Sequence, residues 1–386
     1  MMACSAPCIA LDGAFYDQPL TGSGQYTRGL WHALCMQARP VVLLRPGSEP
    51  VRMPDVAQQT HQEPLGKVAK VQWEQRGIVH AARQVGAQLL HVPYFAGPLR
   101  APFPVVLTVH DVIPLVLPEY RTFAMRLYLF LAVRAARRAA AIITDSDASY
   151  RDIVRYLRIP AERVHVIPLA VDASYHASAC DAALIEDLRQ RFGLHGPVIF
   201  NVGGFDVRKN LLMLLEAFAC ALPALDPRTR LVIGGKPHSA NSQRYPPLEP
   251  TIQRLGLVNH VVITGPLREE EKRALYCMAD LYVYPSIYEG FGLSPLEAMA
   301  CGTPVIVANR TSLPEVVGDA GILVEPTTEA FAREIVRLMQ NTSLRRQLAE
   351  RARRRAAAFT WERTAQQTWQ VYERVLAAWQ KGHRGT

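Results

Sequence analysis

Two series of short apolar runs, separated by longer amphipathic segments, constrain this chain more than any other feature. In the first half the runs are residues 9–11, 41–44, 89–92, 105–109, 141–144 and 164–167. In the second half they are 198–202, 231–233, 261–263, 281–284, 305–307 and 322–324. Helical patterns, such as 211–222 and 269–278, lie between most of them. Strands that alternate with helices are joined by crossovers, which makes the sheets parallel and covers both their faces. Two such series predict an α/β chain of two doubly wound domains. A small-residue, weakly periodic stretch at 173–183 marks the boundary, so residues 1–178 form one domain and 179–360 the other. At 386 residues and 49% hydrophobic content, the chain can fill two cores.

Several function classes are disfavoured. The net charge of +9 suits nucleic acid, an anionic membrane surface or an anionic substrate. No zinc-finger spacing, aromatic RNA-binding motif or basic block with heptads is present, so no nucleic-acid partner is expected. Of the 43 basic residues six are Lys, so 37 are Arg. The apolar runs fall far short of the ~20 residues that span a bilayer. The N-terminus lacks a basic segment followed by a long apolar one, and no signal peptide is expected. Seven scattered cysteines, without Cys-x-x-Cys and with Cys4 and Cys8 as nearest pair, predict a reduced, cytoplasmic chain. No cluster of His, Asp and Glu has ligand spacing, and no metal is expected.

Residues 286–306 read SIYEGFGLSPLEAMACGTPVI and hold two acids, Glu289 and Glu297, with seven residues between them. Ser294, Pro295 and Glu297 have the order of an N-cap, a first-turn proline and a capping-box acid. A helix entered through Gly290, Phe291, Gly292 and Leu293 would offer free backbone N–H groups to phosphate. On helix chemistry alone, Glu297 closing a capping box and Glu289 as a solvated loop acid are equally consistent. The second domain opens NVGGFDVRKN at 201–210, where a strand end, a glycine turn and two cations, Arg208 and Lys209, suit a diphosphate. The alternative is a pair of solvated loop cations.

In the first domain, Thr21-Gly22-Ser23-Gly24-Gln25-Tyr26 is a glycine-rich helix entry that suits an anionic or close-approaching ligand, or is a plain tight turn. Thr27 stands where a G-x-G-x-x-G fingerprint requires glycine, which disfavours an NAD oxidoreductase. His110 and Asp111 follow the 105–109 run, at the strand end where open α/β sheets bind ligands. Asp111 either orients His110 or caps the loop. The segment 121–140 mixes Phe123, Leu127, Phe130 and Leu131 with Arg126, Arg134, Arg137 and Arg138. It is either a core-facing helix with a solvated Arg face or a basic amphipathic helix that lies on anionic lipid.

Tyr288-Glu289-Gly290-Phe291-Gly292 with Glu297 resembles the paired-glutamate signature of retaining glycosyltransferases of family four, which have the GT-B fold. The resemblance continues through residues 300–306 (ACGTPVI), 312–315 (SLPE) and 318–321 (GDAG). It implies two Rossmann-like domains with a cleft between them that holds the nucleotide. It implies too that the last helix, within 361–386, packs back on the first domain. By resemblance, Glu289 holds sugar hydroxyls, Glu297 the ribose diol, and Arg208 and Lys209 the diphosphate. Gly22, Ser23 and Gly24 approach the donor, and His110 faces the transferred sugar. Gly204 departs from members that carry Arg there. The implied activity is retaining transfer of a hexose from a nucleotide sugar to a saccharide or lipid-linked saccharide, with the nucleotide sugar as substrate and no cofactor. The phrases VGGFDVRKN and HDVIPL resemble mannosyltransferases of surface-polysaccharide assembly, which favours GDP-mannose over UDP-glucose. An inner-membrane-face location suits a lipid-linked acceptor. Rival readings are a sugar-nucleotide epimerase or glycoside phosphorylase of the same fold, and a non-catalytic sugar-nucleotide or membrane-surface binding module.

Overall fold

The computed structural model describes residues 8–18, 21–52, 65–175, 180–235 and 243–383. Cys4, residues 176–179 of the expected boundary and residues 384–386 lie outside them. The chain divides into two units, one running to Ala170 and resuming at Thr360, the other spanning Val171–Phe359.

The first unit is built on six parallel strands: β1 (Ile9–Asp12), β2 (Val41–Leu44), β3 (Leu89–Val92), β4 (Val105–Thr108), β5 (Ala141–Thr144) and β6 (Val164–Val166). Their order is β2-β1-β3-β4-β5-β6. Val, Ile and Leu fill these strands because helices cover both sheet faces and leave no polar side. The Trp361–His383 helix belongs to this unit and packs on the Gly22–Met36 helix. A Cβ on Gly29 would stand 2.2 Å from the Trp361 ring, so the approach depends on glycine. A buried polar chain ties the terminal helix to the sheet. Tyr372 Oη lies 2.6 Å from His91 Nδ1, His91 Nε2 lies 2.8 Å from Thr108 Oγ1, and Thr108 donates to Tyr26 Oη at 3.1 Å. Every member has a partner, as buried polar groups require.

The second unit has another parallel sheet of six strands: β7 (Val198–Val202), β8 (Arg230–Gly234), β9 (Val261–Gly265), β10 (Leu281–Tyr284), β11 (Val305–Ala308) and β12 (Ile322–Val324). Their order is β12-β11-β10-β7-β8-β9, so the winding reverses between β7 and β10. Such a reversal splays the connecting loops apart at the carboxyl ends of the two strands and opens a crevice there. The structure corrects one expectation. Cys180 and Cys277 form a disulfide across 97 residues. Packing of the Ala182–Phe192 helix on the Glu269–Met278 helix brings the two cysteines together, a proximity that linear spacing does not encode. No helix among the described residues is long and apolar enough to cross a membrane.

Candidate functional site

The loops after β7 and β10 carry four charged side chains, Asp206, Arg208, Lys209 and Glu289, that pair with one another. After β7 the chain passes Gly203 and Gly204, makes a 3-10 turn at Val207–Lys209, and enters the Leu211–Ala221 helix through Asn210 at φ 56°. Arg208 Nη1 and Lys209 Nζ each lie 2.6 Å from Glu289 Oε1. Ser286 Oγ at 2.6 Å and Tyr284 Oη at 2.8 Å donate to the same oxygen. Lys209 also donates to Tyr284 Oη. Four donors thus converge on Oε1. Arg208 is held further by Asp206 Oδ1 at 3.0 Å from Nε and by the Tyr288 carbonyl at 3.1 Å.

Burial opposes the Glu289 charge, but Arg208 and Lys209 outweigh it and hold the carboxyl at about 2. Burial and the neighbouring Arg208 push Lys209 below the ordinary lysine range, against the pull of Glu289. The loop itself is clamped from the segment after β11. Glu289 N donates to Thr311 Oγ1 at 3.0 Å, and Ser312 Oγ donates to the carbonyls of Glu289 and Phe291 at 3.0 and 2.7 Å. Ser312 opens the SLPE motif, which explains physically why that motif accompanies the glutamate pair.

The helix entry differs from the expected one. Gly292, at φ 117°, is the N-cap of the Leu293–Ala300 helix, so Ser294 and Pro295 lie inside the first turn. No side chain caps this end, and Glu297 closes no capping box. Starting the helix at Leu293 rotates Glu297 inward, where it is 3% exposed. It accepts from Lys272 Nζ at 3.1 Å and Tyr276 Oη at 3.0 Å. Burial raises the Glu297 pKa against the pull of Lys272. A Cβ at position 292 would meet Leu313 Cδ2 at 2.9 Å in a backbone conformation that L side chains rarely adopt. Gly290 and Phe291 complete the turn between the two acids.

In the first unit, Thr21 caps the Gly22–Met36 helix by accepting from Gly24 N at 3.1 Å. Gly24 is required by packing, since a Cβ there would stand 2.0 Å from the Gln18 carbonyl, whereas one on Gly22 would meet nothing. The Ser23 carbonyl accepts from Thr27 Oγ1 at 2.7 Å. His110 follows β4 with its side chain 18% exposed and its Nδ1 2.7 Å from Asp145 Oδ2. The Tyr26 ring stands edge-on to it at 4.9 Å. Burial lowers the His110 pKa, but Asp145, by charge and by hydrogen bond, raises it further than burial lowers it. His110 Nε2 and Asp145 Oδ1 are buried without a well-formed hydrogen bond among the described residues. The two roles open for Asp111 resolve: its Oδ1 accepts from Ile113 N at 2.9 Å and caps the loop, while Asp145 orients the imidazole.

Each sequence-selected residue therefore sits in a strand-end loop or at a helix entry of its own unit. Arg208, Lys209 and Glu289 form one cluster. Glu297 stands in a second, with Lys272 and Tyr276. Residues that sequence reasoning passed over are Tyr284, Ser286, Lys272, Tyr276, Thr311 and Asp145. Asp145 directly follows β5, so the strand-end rule that selects His110 selects it too. It opens the chain's one Asp-x-Asp, Asp145-Ser146-Asp147. Among the described residues no three His, Cys, Asp or Glu side chains are grouped to hold a metal ion.

Comparisons with known proteins agree with this architecture. The family described as "Glycosyltransferase Family 4" matches residues 21–175, and "Glycosyl transferases group 1" matches 185–355. The O-antigen chain mannosyltransferase B of Escherichia coli is 31% identical over 77% of this chain and 78% of its own length. The MMP alpha-(1->4)-mannosyltransferase of Mycolicibacterium hassiacum is 31% identical over 81% of this chain and 74% of its own. The serotype-specific mannosyltransferase WbdA of Escherichia coli is 29% identical, and the match spans only 35% of its length. Among solved structures, sucrose-phosphate synthase from Thermosynechococcus elongatus superposes with a TM-score of 0.75 at 24% identity, covering 96% of this chain and 100% of its own. Anabaena HepE, solved in complex with UDP, superposes at 0.65 with 22% identity, covering 95% and 99%. With the motif, both sheets and both family matches in agreement, the chain belongs to the group 1, family-four glycosyltransferases of GT-B fold.

Proposed function

We propose that this glycosyltransferase moves mannose, with retention of configuration, from GDP-mannose to a saccharide or lipid-linked saccharide acceptor. UDP-glucose is the next candidate donor. The observation that carries this reading is the convergence of Arg208, Lys209 and Glu289 at the topological switch point of the second sheet. Departure of a nucleoside diphosphate from the anomeric carbon develops negative charge, and preorganised cations and N–H dipoles stabilise it. Arg208, Lys209 and the entry of the Leu293–Ala300 helix serve that task without a metal. Glu289 Oε2 accepts from sugar hydroxyls while Oε1 stays anchored. Glu297 takes the ribose diol, since a carboxylate can accept from two adjacent hydroxyls. The first unit supplies His110 toward the sugar and the Gly22, Ser23 and Gly24 backbone toward the donor. No side chain is assigned as covalent nucleophile, and the leaving phosphate assists loss of the acceptor proton. The names of the relatives, mannosyltransferases at 31% identity, support mannose.

Incubation with labelled GDP-mannose and UDP-glucose, with and without acceptor and in EDTA, tests this reading. Transfer is expected only with acceptor, preferentially from GDP-mannose, undiminished by EDTA, and with the donor's anomeric configuration by proton NMR. Turnover without acceptor means an epimerase, and dependence on inorganic phosphate means a phosphorylase.

Asp145→Asn is expected to lower turnover by roughly 10–100-fold, the worth of a hydrogen bond to a charged group, with donor affinity little changed. Because Asp145 raises the His110 pKa, the variant's His110 titrates at lower pH, and any His110-dependent limb of the pH–rate profile moves the same way. An unshifted profile and unchanged turnover would reduce Asp145 to a structural residue.

A lipid-linked acceptor also suits the Phe123–Arg138 helix. Leu129, Ala132, Ala135 and Ala136 face the core, while Phe123, Leu127 and Phe130 are 86%, 61% and 56% exposed. Arg126 and Arg134 flank them, an arrangement that favours peripheral contact with an anionic bilayer. Phe123→Ser with Phe130→Ser is expected to reduce co-sedimentation with anionic vesicles while leaving transfer to a soluble acceptor intact. Unchanged sedimentation rejects the contact.

A further inference from the structure

The first unit has a cavity of 1080 Å³ that the donor chemistry does not use. Its walls are the segment before β4, the end of the Phe123–Arg138 helix, the start of β5, the residues around the start of β6, and the Trp361–His383 helix. It therefore opens at the amino ends of β4, β5 and β6. His110 lies beyond the carboxyl end of β4, five residues past Val105 and about 17 Å away at the usual strand rise. Arg100, Arg138, Arg163, His165 and Arg374 line this cavity, with Trp379 on one wall and Glu162 as the one acidic lining residue.

The cations divide by role. Arg163 Nη1 donates to the Arg137 and Ala139 carbonyls, both at 3.2 Å, and Arg138 Nη1 donates to the Leu99 carbonyl at 3.1 Å. These two side chains fasten the end of the Phe123–Arg138 helix and set the cavity wall. Neither the Arg100 nor the Arg374 side chain makes a hydrogen bond or ion pair with a described residue. Burial and the nearby Arg374 push His165 below its ordinary pKa, so it stands as a neutral imidazole able to donate one hydrogen bond. Like charges gathered around a cavity, two of them without a counter-ion, attract an anion whose oxygens can accept from several guanidinium forks at once.

We infer that this cavity binds a phosphate ester, with Arg100 and Arg374 as its clamps and Trp379 beside it. The same chemistry is offered by a phospholipid headgroup and by a soluble phosphate. The inference does not rest on the donor assignment, and it stands or falls separately from sugar transfer.

The test uses the full chain and follows Trp379 fluorescence, with Trp379→Phe identifying the signal. The probes are glycerol 3-phosphate, vesicles of phosphatidylcholine alone, and vesicles that also contain phosphatidylglycerol. Arg100→Ala with Arg374→Ala removes exposed side chains, so folding is expected to be retained, and turnover on a soluble acceptor should be unchanged. Binding is expected to weaken tenfold or more in this variant. A Trp379 response to glycerol 3-phosphate that the variant loses identifies a soluble ligand. A response only to phosphatidylglycerol vesicles, again lost in the variant, identifies a headgroup. Equal binding by both proteins, no response to any probe, or displacement of the probe by GDP would each overturn the inference.

Discussion

Glu289→Ala is expected to abolish detectable sugar transfer and to destabilise the second unit at the same time. The carboxylate does two jobs in one place. Its Oε1 compensates Arg208 and Lys209, both largely buried, at 2.6 Å each. Its Oε2 faces the sugar in the proposed reaction. Removing one partner of a buried charge pair leaves the other uncompensated, at a cost of about 3–5 kcal/mol. Donor diphosphate binding should weaken too, because the two cations lose the group that holds their geometry. Glu289→Gln separates the effects. It keeps the volume and a hydrogen-bond acceptor but not the charge. The folded carboxyl titrates at about 2, below the ordinary value of 4.5. Its contribution is thus fully present above about pH 4.5 and lost as the pH falls toward 2, and it amounts to about 3 kcal/mol. Melting curves of wild type and Glu289→Gln should therefore differ most near neutral pH and converge in acid. Glu297→Gln should behave differently, because Lys272 retains Glu269 at 3.1 Å. Nucleotide affinity is expected to fall there with little loss of stability. Full activity in Glu289→Ala would remove the basis for a sugar-transferring site.

Arg208→Ala combined with Lys209→Ala should weaken GDP binding far more than guanosine binding. Each charge-assisted contact to the diphosphate is worth about 1.5–3 kcal/mol, so the pair predicts losses of roughly 10²-fold or more. The nucleoside carries no phosphate and should lose much less. Titration calorimetry with both ligands measures the difference directly. Arg208→Lys is the informative control. It retains charge but not the fork that meets Asp206 and Glu289 together, so intermediate affinity is expected. Equal losses for GDP and guanosine would mean that these cations only support the loop.

Much of the architecture is legible in the chain. Each of the twelve strands falls on an apolar run of the sequence, because a strand covered on both faces by helices must be mostly apolar. The glutamate pair, the basic pair and the glycine turns are local in sequence, and each is bound to a strand end or helix entry by short-range backbone chemistry. Helix starts were less legible. Ser294 followed by Pro295 has the form of an N-cap and first-turn proline, but Gly292 takes a positive φ and begins the helix earlier. A tight fit against Leu313, more than 20 residues on, makes that glycine conformation part of the packed structure.

By itself the sequence determined the two parallel α/β sheets, the strand-end loops that carry the candidate residues, and the residue types available there. The tertiary structure alone decided which of those residues meet. Sheet order places β10 beside β7, and this brings Glu289 onto Arg208 and Lys209 across 80 residues of chain. In the same way β5 lies beside β4, so that Asp145, and not the adjacent Asp111, orients His110. Folding of the Glu269–Met278 helix sets Lys272 and Tyr276 on Glu297 and Cys277 on Cys180. Periodicity reports which face of an element is buried. It carries no record of the neighbour that covers it, because that depends on how the crossovers wind the strands together.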